Sequence, residues 1–315
     1  MLRFILKRLV TLVLTLLVSS FVIYSSLYLA PGNPIATLTG GRTPSPEAIA
    51  ILEHRYHLDQ PFLVRYWEWL KAALTGDFGV SIPHRQEVSD IITQRATVTL
   101  GLVLYASLLI LAFGIGLGVL SALRPGTTDS GVIVATTISA ALPAFVASII
   151  LLLVFAVNLG WFPATGEGSG VAGRIEHLTL PAIALAMTSM ALVARVTRAA
   201  VREELGREHV QTAVSRGIPF RLVLRRHVLR NAAIPITTIA GLTIASLIAI
   251  SAVVERAFNL NGLGAYLVEA AQSKDFAVVQ GISLVLVAAF VITNMVVDIL
   301  YALLDPRVTL GTKAQ

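Results

Sequence analysis

Long stretches without Asp, Glu, Lys or Arg alternate with short charged segments along this chain. The six longest cover residues 9–41, 96–123, 130–166, 178–194, 232–254 and 276–297. A helix crosses the hydrocarbon core with about 20 apolar residues. Five of the stretches reach that length, and the fourth continues past Arg195, whose guanidinium can extend to the membrane surface. The pattern predicts six transmembrane helices, at about 9–30, 98–123, 132–157, 179–200, 236–254 and 280–303.

The composition supports an all-α integral membrane protein. Hydrophobic residues make up 56% of the 315 residues and charged residues only 13%, against about 25% charged residues in soluble domains. The first stretch follows three basic residues, as a secretory signal does. It is too long for a signal peptide, however, and no small-x-small cleavage site closes it. We therefore expect a retained first helix.

The distribution of charge predicts the orientation, because cytoplasmic loops are enriched in Lys and Arg. With the N-terminus inside, the inner segments carry 15 basic and 6 acidic residues, and the outer segments carry 9 basic and 12 acidic residues. We therefore expect both termini in the cytoplasm.

The predicted helices divide the chain into four parts. Residues 1–30 hold the N-terminus and the first helix, 31–95 form an external subdomain, 96–308 form the core of five further helices, and 309–315 form a tail. Within the subdomain, the pattern from Phe62 to Thr75 predicts an amphipathic helix. It lies either at the headgroup level of the membrane or packed inside the subdomain.

Several residues inside the predicted helices are candidates for the transport pathway. Pro143 removes a backbone hydrogen bond from the third helix and is expected to kink it. Asp298 is the one acidic residue within a predicted helix, and Asn294 lies one turn before it. An ionisable residue in a membrane is a functional candidate, although a cytoplasmic ion pair of Asp298 with Arg195 or Arg198 is the simpler expectation.

Two further features are structural: Gly114 and Gly118 would permit close helix contact, and Pro181 is expected in the first turn of the fourth helix.

Other chemistry is excluded or weakly indicated. The chain has no cysteine, so it has no disulfide and no thiolate site. None of its four lysines follows a glycine, so it carries no P-loop, and we expect no cofactor bound by this chain. His54 and His57 are three residues apart, but a metal site needs further ligands. The net charge of +6 is explained by membrane orientation, so we expect no nucleic-acid partner.

The most charged part of the sequence is the inner loop 201–235. Gly217 followed by Pro219 predicts two short helices joined at the glycine, with Pro235 at the start of the fifth transmembrane helix. Such a projection is either a docking element for a soluble partner or a basic loop that only fixes the orientation.

The inner loop resembles the coupling loop of bacterial ATP-binding-cassette import permeases. That pattern has Glu-Ala-Ala, three residues and a glycine, where this chain has Gln211-Thr212-Ala213 and Gly217. The glutamine departs from the pattern, so no acidic contact is carried over. Arg216-Gly217 and the run from Arg230-Asn231 to Pro235 are similar to the dipeptide, oligopeptide and nickel branch. Shorter segments along nearly the whole chain are similar to that branch as well, and they include 29–34, 58–61, 76–79, 142–145, 160–163, 255–264 and 304–307.

The resemblance implies a type I importer permease in a bacterial inner membrane, similar to the first (B) subunit of dipeptide permeases. Its implied partners are a second homologous permease, two ATPase subunits that hold ATP and magnesium, and an external solute-binding protein. It implies that Gly217 forms the turn, Ala213 permits close approach and Arg216 makes a polar contact. The implied contacts with the binding protein are Asn259, Asn261, Gly262 and Gly264.

The implied substrates are dipeptides or oligopeptides, with nickel or another small solute as an alternative. An ion-coupled secondary transporter is an alternative of a different class, and a channel or scaffold is a third.

Overall fold

The computed structural model describes residues 2–29 and 60–304, which fold almost entirely into helices. The elements, in chain order, are α1 Leu2–Leu29, α2 Phe62–Leu74, β1 Val80–Ser81, β2 Gln86–Glu87, α3 Val88–Leu109, α4 Ile115–Leu123, α5 Thr127–Ala141, α6 Ala144–Leu151, α7 Gly170–Leu205, α8 Glu208–Ser215, α9 Phe220–Val223, α10 Leu229–Ala257, α11 Leu263–Gln272 and α12 Phe276–Leu304. Strands β1 and β2 form a short antiparallel hairpin.

The membrane-spanning character predicted from the sequence is confirmed. The described residues contain five helices that are long and apolar enough to cross a membrane, which are Arg3–Ser26, Val88–Leu123, Gly170–Leu205, Phe220–Ala257 and Phe276–Ile299. A sixth span is present if the bent pair Thr127–Ala141 and Ala144–Asn158 is one span. π-helical turns at Ile110–Gly114 and Leu224–Val228 keep two of the long spans continuous.

Three helices are longer than the hydrophobic pattern predicts, because an uncharged stretch marks only the part of a helix that lies within the hydrocarbon core. Helix α3 begins at Val88, ahead of the proposed subdomain boundary at residue 95. Helix α7 begins at Gly170, so Pro181 lies inside it and not in its first turn as expected. Similarly, Pro235 lies inside α10 and not at its start. The second half of the inner loop is therefore the cytoplasmic end of a long helix and not a separate short one.

The third span is broken at Pro143 and not merely kinked. Helices α5 and α6 meet at an angle of 104°. Leu142 has extended backbone with ψ of 117°, as expected for a residue before proline. Pro143 then precedes the first turn of α6, where its missing N–H costs no hydrogen bond.

Helix α7 is the centre of the bundle and contacts α3, α4, α5, α6 and α10. The two glycines predicted for close contact serve this packing. A Cβ at Gly118 would lie 2.5 Å from the Thr197 Cβ, and one at Gly114 would lie 3.1 Å from the Val193 side chain. Both positions therefore let α4 and the preceding π turn approach α7 closely.

The amphipathic helix predicted at residues 62–75 is observed as α2, and it packs against α1. The Tyr66 hydroxyl lies 2.9 Å from the Ser20 hydroxyl, and the Trp69 ring packs on Tyr24. Its aromatic face therefore packs on the first transmembrane helix, which neither of the two alternatives described. Trp67 points away and is 54% exposed. His54, His57 and the similar segments within 30–59 lie outside the described residues, as does the segment 305–307.

Candidate functional site

The inner loop folds into a small helical projection, residues 206–219, built around α8. Gly217 follows α8 with φ of +74°, a conformation that glycine adopts without strain. Its N–H donates to the Val214 carbonyl at 2.9 Å, and the Ile218 N–H donates to the Ala213 carbonyl at 3.2 Å. These two bonds form a Schellman motif. Gly217 therefore forms a turn at the position where the sequence predicts one.

One face of α8 is buried against the permease itself. Val210 and Ala213 are 3% and 5% exposed and pack into an apolar cluster at the inner ends of α4, α7 and α10. The Ala213 methyl group therefore faces the protein's own core, where α8 packs on the permease itself. The exposed face carries Gln211, Thr212 and Arg216.

Polar contacts tie the projection to the two helices that flank it. The Asn231 amide on α10 donates to the Glu204 carboxylate at 3.2 Å and lies 3.4 Å from His209 Nε2. The Gln211 side chain donates to the Gly206 carbonyl at 3.3 Å. Asn231 therefore joins α7, α8 and α10, so a displacement of α8 would be felt by both long helices.

A basic cavity of about 800 Å³ lies beside the projection. Arg225, Arg226, His227 and Arg230 line it, with Leu222 and Asn231. None of the three arginines forms an ion pair with the residues that the structure describes. The cavity therefore presents unpaired positive charge near the start of α8, where the His209 ring lies 6.3 Å from that of His227. Pro235 is exposed one turn further along α10.

An ion-pair cluster connects α7 to the broken third span. Asp129 in the first turn of α5 accepts two hydrogen bonds from Arg198, at 2.6 and 2.8 Å, and one from Arg202 at 2.7 Å. The Ser121 hydroxyl at the end of α4 also donates to Asp129. The paired, charge-assisted geometry makes this a strong link between helices. It fixes three elements at the level where α7 leaves the membrane.

The ion pair expected for Asp298 is present, but its partner is different. Asp298 on α12 lies 3.1 Å from Arg8 on α1, and both side chains are partly exposed. Arg198 is held by Asp129, and Arg195 donates to the Thr137 hydroxyl at 3.1 Å. The neighbouring Asn294 donates to the Phe290 carbonyl of its own helix at 3.0 Å.

On the outer side, helix α11 is capped by side chains from two other helices. The fully buried Glu255 accepts hydrogen bonds from the Thr99 hydroxyl at 2.7 Å and from the Ala265 N–H at 2.9 Å. The Leu263 N–H donates to the Thr99 oxygen at 2.8 Å. These bonds satisfy N–H groups that the first turn of a helix leaves free.

The candidate contact residues for a binding protein separate into two pairs. Gly262 is buried against the Glu255 carboxylate, and a Cβ at Gly264 would lie 2.5 Å from the Ala252 Cα. These two glycines serve close packing and present no outer surface, which corrects the expectation for them. Asn259 and Asn261 are exposed.

A second cluster holds the external hairpin onto the bundle. The buried Asp275 accepts a hydrogen bond from the Ser81 hydroxyl at 2.5 Å and lies 3.9 Å from His84. The Tyr266 hydroxyl lies 3.2 Å from His84 Nδ1. Burial raises the pKa of the Tyr266 hydroxyl above its usual value.

The acidic residues in these clusters are Asp129, Glu255 and Asp275, and sequence reasoning missed all three. Each lies just beyond an uncharged stretch, so its position resembles that of an ordinary loop charge. A possible signal was Gly262 close after Glu255, since glycine permits close approach to a buried side chain.

Comparisons with known proteins match nearly the whole chain. Residues 114–310 match the family described as "Binding-protein-dependent transport system inner membrane component", and residues 1–103 match the N-terminal membrane-component family. The chain is 35% identical over 310 residues to the glutathione transport system permease protein GsiC of Salmonella typhimurium, covering 98% of this chain and 99% of the relative. It is 33% identical over 309 residues to GsiC of Escherichia coli K12, with the same coverage.

A solved structure shares the fold. It is the MetNI methionine ABC transporter in an inward-facing conformation, which matches with a TM-score of 0.55 at 17% identity over 68% of this chain and 96% of that chain. At this identity the likeness concerns the fold alone. Taken with the family matches, it shows that the chain belongs to the inner-membrane components of binding-protein-dependent transport systems and is a multi-pass permease subunit of a bacterial ABC importer.

Proposed function

We propose that this chain forms half of the translocation pathway of an importer for dipeptides and oligopeptides, and that a second, homologous permease forms the other half. The observation that carries the importer role is the projection around α8, which begins beside a cavity lined by unpaired arginines. The relatives at 33–35% identity are named for glutathione, which is a tripeptide, and this supports a peptide substrate. ATP and magnesium are then held by two partner ATPase subunits.

The structure supports a route for the motion from the ATPase subunits to the membrane. Helix α8 lies between α7 and the helix that continues as α10, and Asn231 on α10 bonds to Glu204 on α7 and lies within reach of His209 on α8. When the ATPases close, they would displace α8 and both long helices with it. Helix α7 would then move α5 through Asp129, and the break at Pro143 supplies a hinge in the third span.

Single-cysteine cross-linking tests the docking surface, and the cysteine-free chain is a ready background. Ser215→Cys is exposed on α8, whereas Ala213→Cys is buried on the opposite side. With the ATPase subunits carrying one cysteine in their docking groove, Ser215→Cys should form a disulfide and Ala213→Cys should not. Equal yields from both variants, or none from either, would reject this docking face.

An uptake assay tests the substrate class. Cells that lack the gene should lose accumulation of labelled dipeptides and tripeptides and regain it with the wild-type chain. Unlabelled glutathione and dipeptides should compete, and free amino acids should not. Competition by nickel without any by peptides would favour the nickel alternative.

The outer contact is proposed for Asn259 and Asn261, which are exposed beside α11. These exposed amides are neutral, so they can form hydrogen bonds with a binding protein at a lower desolvation cost than charged side chains would have. Replacing both with alanine should raise the binding-protein concentration required for half-maximal stimulation of ATP hydrolysis. An unchanged concentration would place the contact elsewhere.

A further inference from the structure

A groove of about 410 Å³ lies on the outer half of the bundle, between α3 and the first turns of α7. Its walls are mainly apolar and include Val98, Leu104 and Leu108 on α3 and Ile175 on α7. Leu104 and Leu108 are each 64% exposed, so the groove opens sideways from the bundle.

The groove spans the outer leaflet. The span Val88–Leu123, which α3 begins, carries no charge after Arg95, so α3 enters the hydrocarbon core just after that residue. The lining residues of α3 run from Thr97 to Leu108, which is about 16 Å along a helix. Half of a hydrocarbon core is about 15 Å. The groove therefore runs from the outer membrane surface to the middle of the bilayer, and its open side faces lipid.

Two opposite charges stand at the groove, Glu167 and Arg174. The Glu167 loop is held against α7, because Gly168 packs on Gly173 and the His177 ring lies 3.1 Å from the Thr165 carbonyl. Glu167 itself accepts the Asn261 N–H at 3.1 Å. Neither charge forms an ion pair with the other or with any other residue that the structure describes. Both are therefore available to a ligand that carries an anion and a cation.

A peptide and a zwitterionic phospholipid both carry such a pair, and the walls of the groove distinguish them. A peptide would bring amide groups that need hydrogen-bond partners. The hydroxyl hydrogens in the groove are already engaged, so they cannot donate to peptide carbonyls. Thr179 donates to the Ile175 carbonyl and accepts from Tyr105 at 3.2 Å, and Thr97 donates to the Gln94 carbonyl at 3.0 Å. An acyl chain needs no such partner.

We propose that the groove binds a phospholipid of the phosphatidylethanolamine type from the outer leaflet. One acyl chain lies between α3 and α7. The phosphate forms an ionic contact with Arg174, and the ammonium group forms one with Glu167. This inference does not depend on the transported solute.

Native mass spectrometry of the complete transporter, purified from membranes that hold both phosphatidylethanolamine and phosphatidylglycerol, tests the inference. The wild type should retain phosphatidylethanolamine in preference. Glu167→Gln should lower that preference about tenfold, and Arg174→Gln should lower retention of both lipids about tenfold, because each removes a charge-assisted contact. Glu176→Gln, exposed on the same helix outside the groove, is the matched control and should change nothing.

Unchanged lipid retention in both charge variants, or equal retention of the two lipids by the wild type, would overturn the proposal. Should the charge variants fail to assemble, Gly101→Leu places a side chain in the groove beside Leu178 and should expel the lipid. Retention by that variant also counts against the site. A disulfide between Leu104→Cys and a cysteine in the second permease would show that a protein helix covers the groove instead.

Discussion

The inner and outer ends of this permease are attached to the bundle in opposite ways. At the inner end, contacts of His209 and Asn231 with the Glu204 carboxylate, together with an apolar cluster, hold α8 between two long helices. At the outer end, the first turn of α11 is capped by a buried carboxylate whose hydrogen-bond donors, Thr99 and Ala265, are both neutral. The charged groups around α8 are partly exposed to water, whereas the polar groups that cap α11 are buried. The comparison teaches that solvent-exposed charged contacts are found where movement is proposed, and buried contacts to one carboxylate are found where the structure is capped.

The largest effect is expected at the outer end, from Glu255→Ala. This change leaves two buried donors without an acceptor and should lower the free energy of unfolding by about 3 kcal/mol. Thermal unfolding of the purified transporter measures it. Glu176→Ala, at an exposed site, is the control. A loss no greater than that of the control would remove the contrast between the two ends.

The next effect is expected at Gly217, where valine must adopt φ of +74°. Such a backbone costs about 1–3 kcal/mol, and we expect the turn to shift and uptake to be abolished while the protein remains in the membrane. Gly206→Val, where φ is −82°, is the control. Wild-type uptake by Gly217→Val would show that α8 does not act as a lever.

A smaller effect is expected at the inner ion cluster, from Asp129→Asn. Arg198 and Arg202 would keep weaker contacts, so we expect a loss of about 2 kcal/mol in stability. The ratio of solute imported to ATP hydrolysed should fall, because α7 would no longer move α5 firmly. Asp90→Asn, in the first turn of α3, is the matched control. A constant ratio would mean that the cluster only stabilises the fold.

The smallest effect is expected for Asp298→Asn. Its pair with Arg8 is partly exposed on both sides, and such pairs contribute about 0–1 kcal/mol. Uptake should remain close to that of the wild type in the same transport assay. A severe loss of uptake would instead identify Asp298 as a pathway residue and would place function at the inner end of α12.

The sequence predicted a large part of this arrangement. Uncharged stretches identified the spans, because the bilayer requires a fixed length of apolar helix. Gly217 was identifiable because only glycine readily fits the turn after α8. The inward orientation of the Ala213 side chain could not be predicted from the sequence, because the apolar cluster that buries it contains residues from α4, α7 and α10.

By itself, the sequence determined the membrane class, the orientation, the absence of a P-loop and the turn at Gly217. Each of these depends on local composition or on the conformational range of one residue. Only the tertiary structure decided that Arg8 pairs with Asp298, that Asp129 joins α5 to α7, and that Glu255 caps α11. These contacts join residues far apart in the chain, and helix packing selects them in a way that no local pattern records.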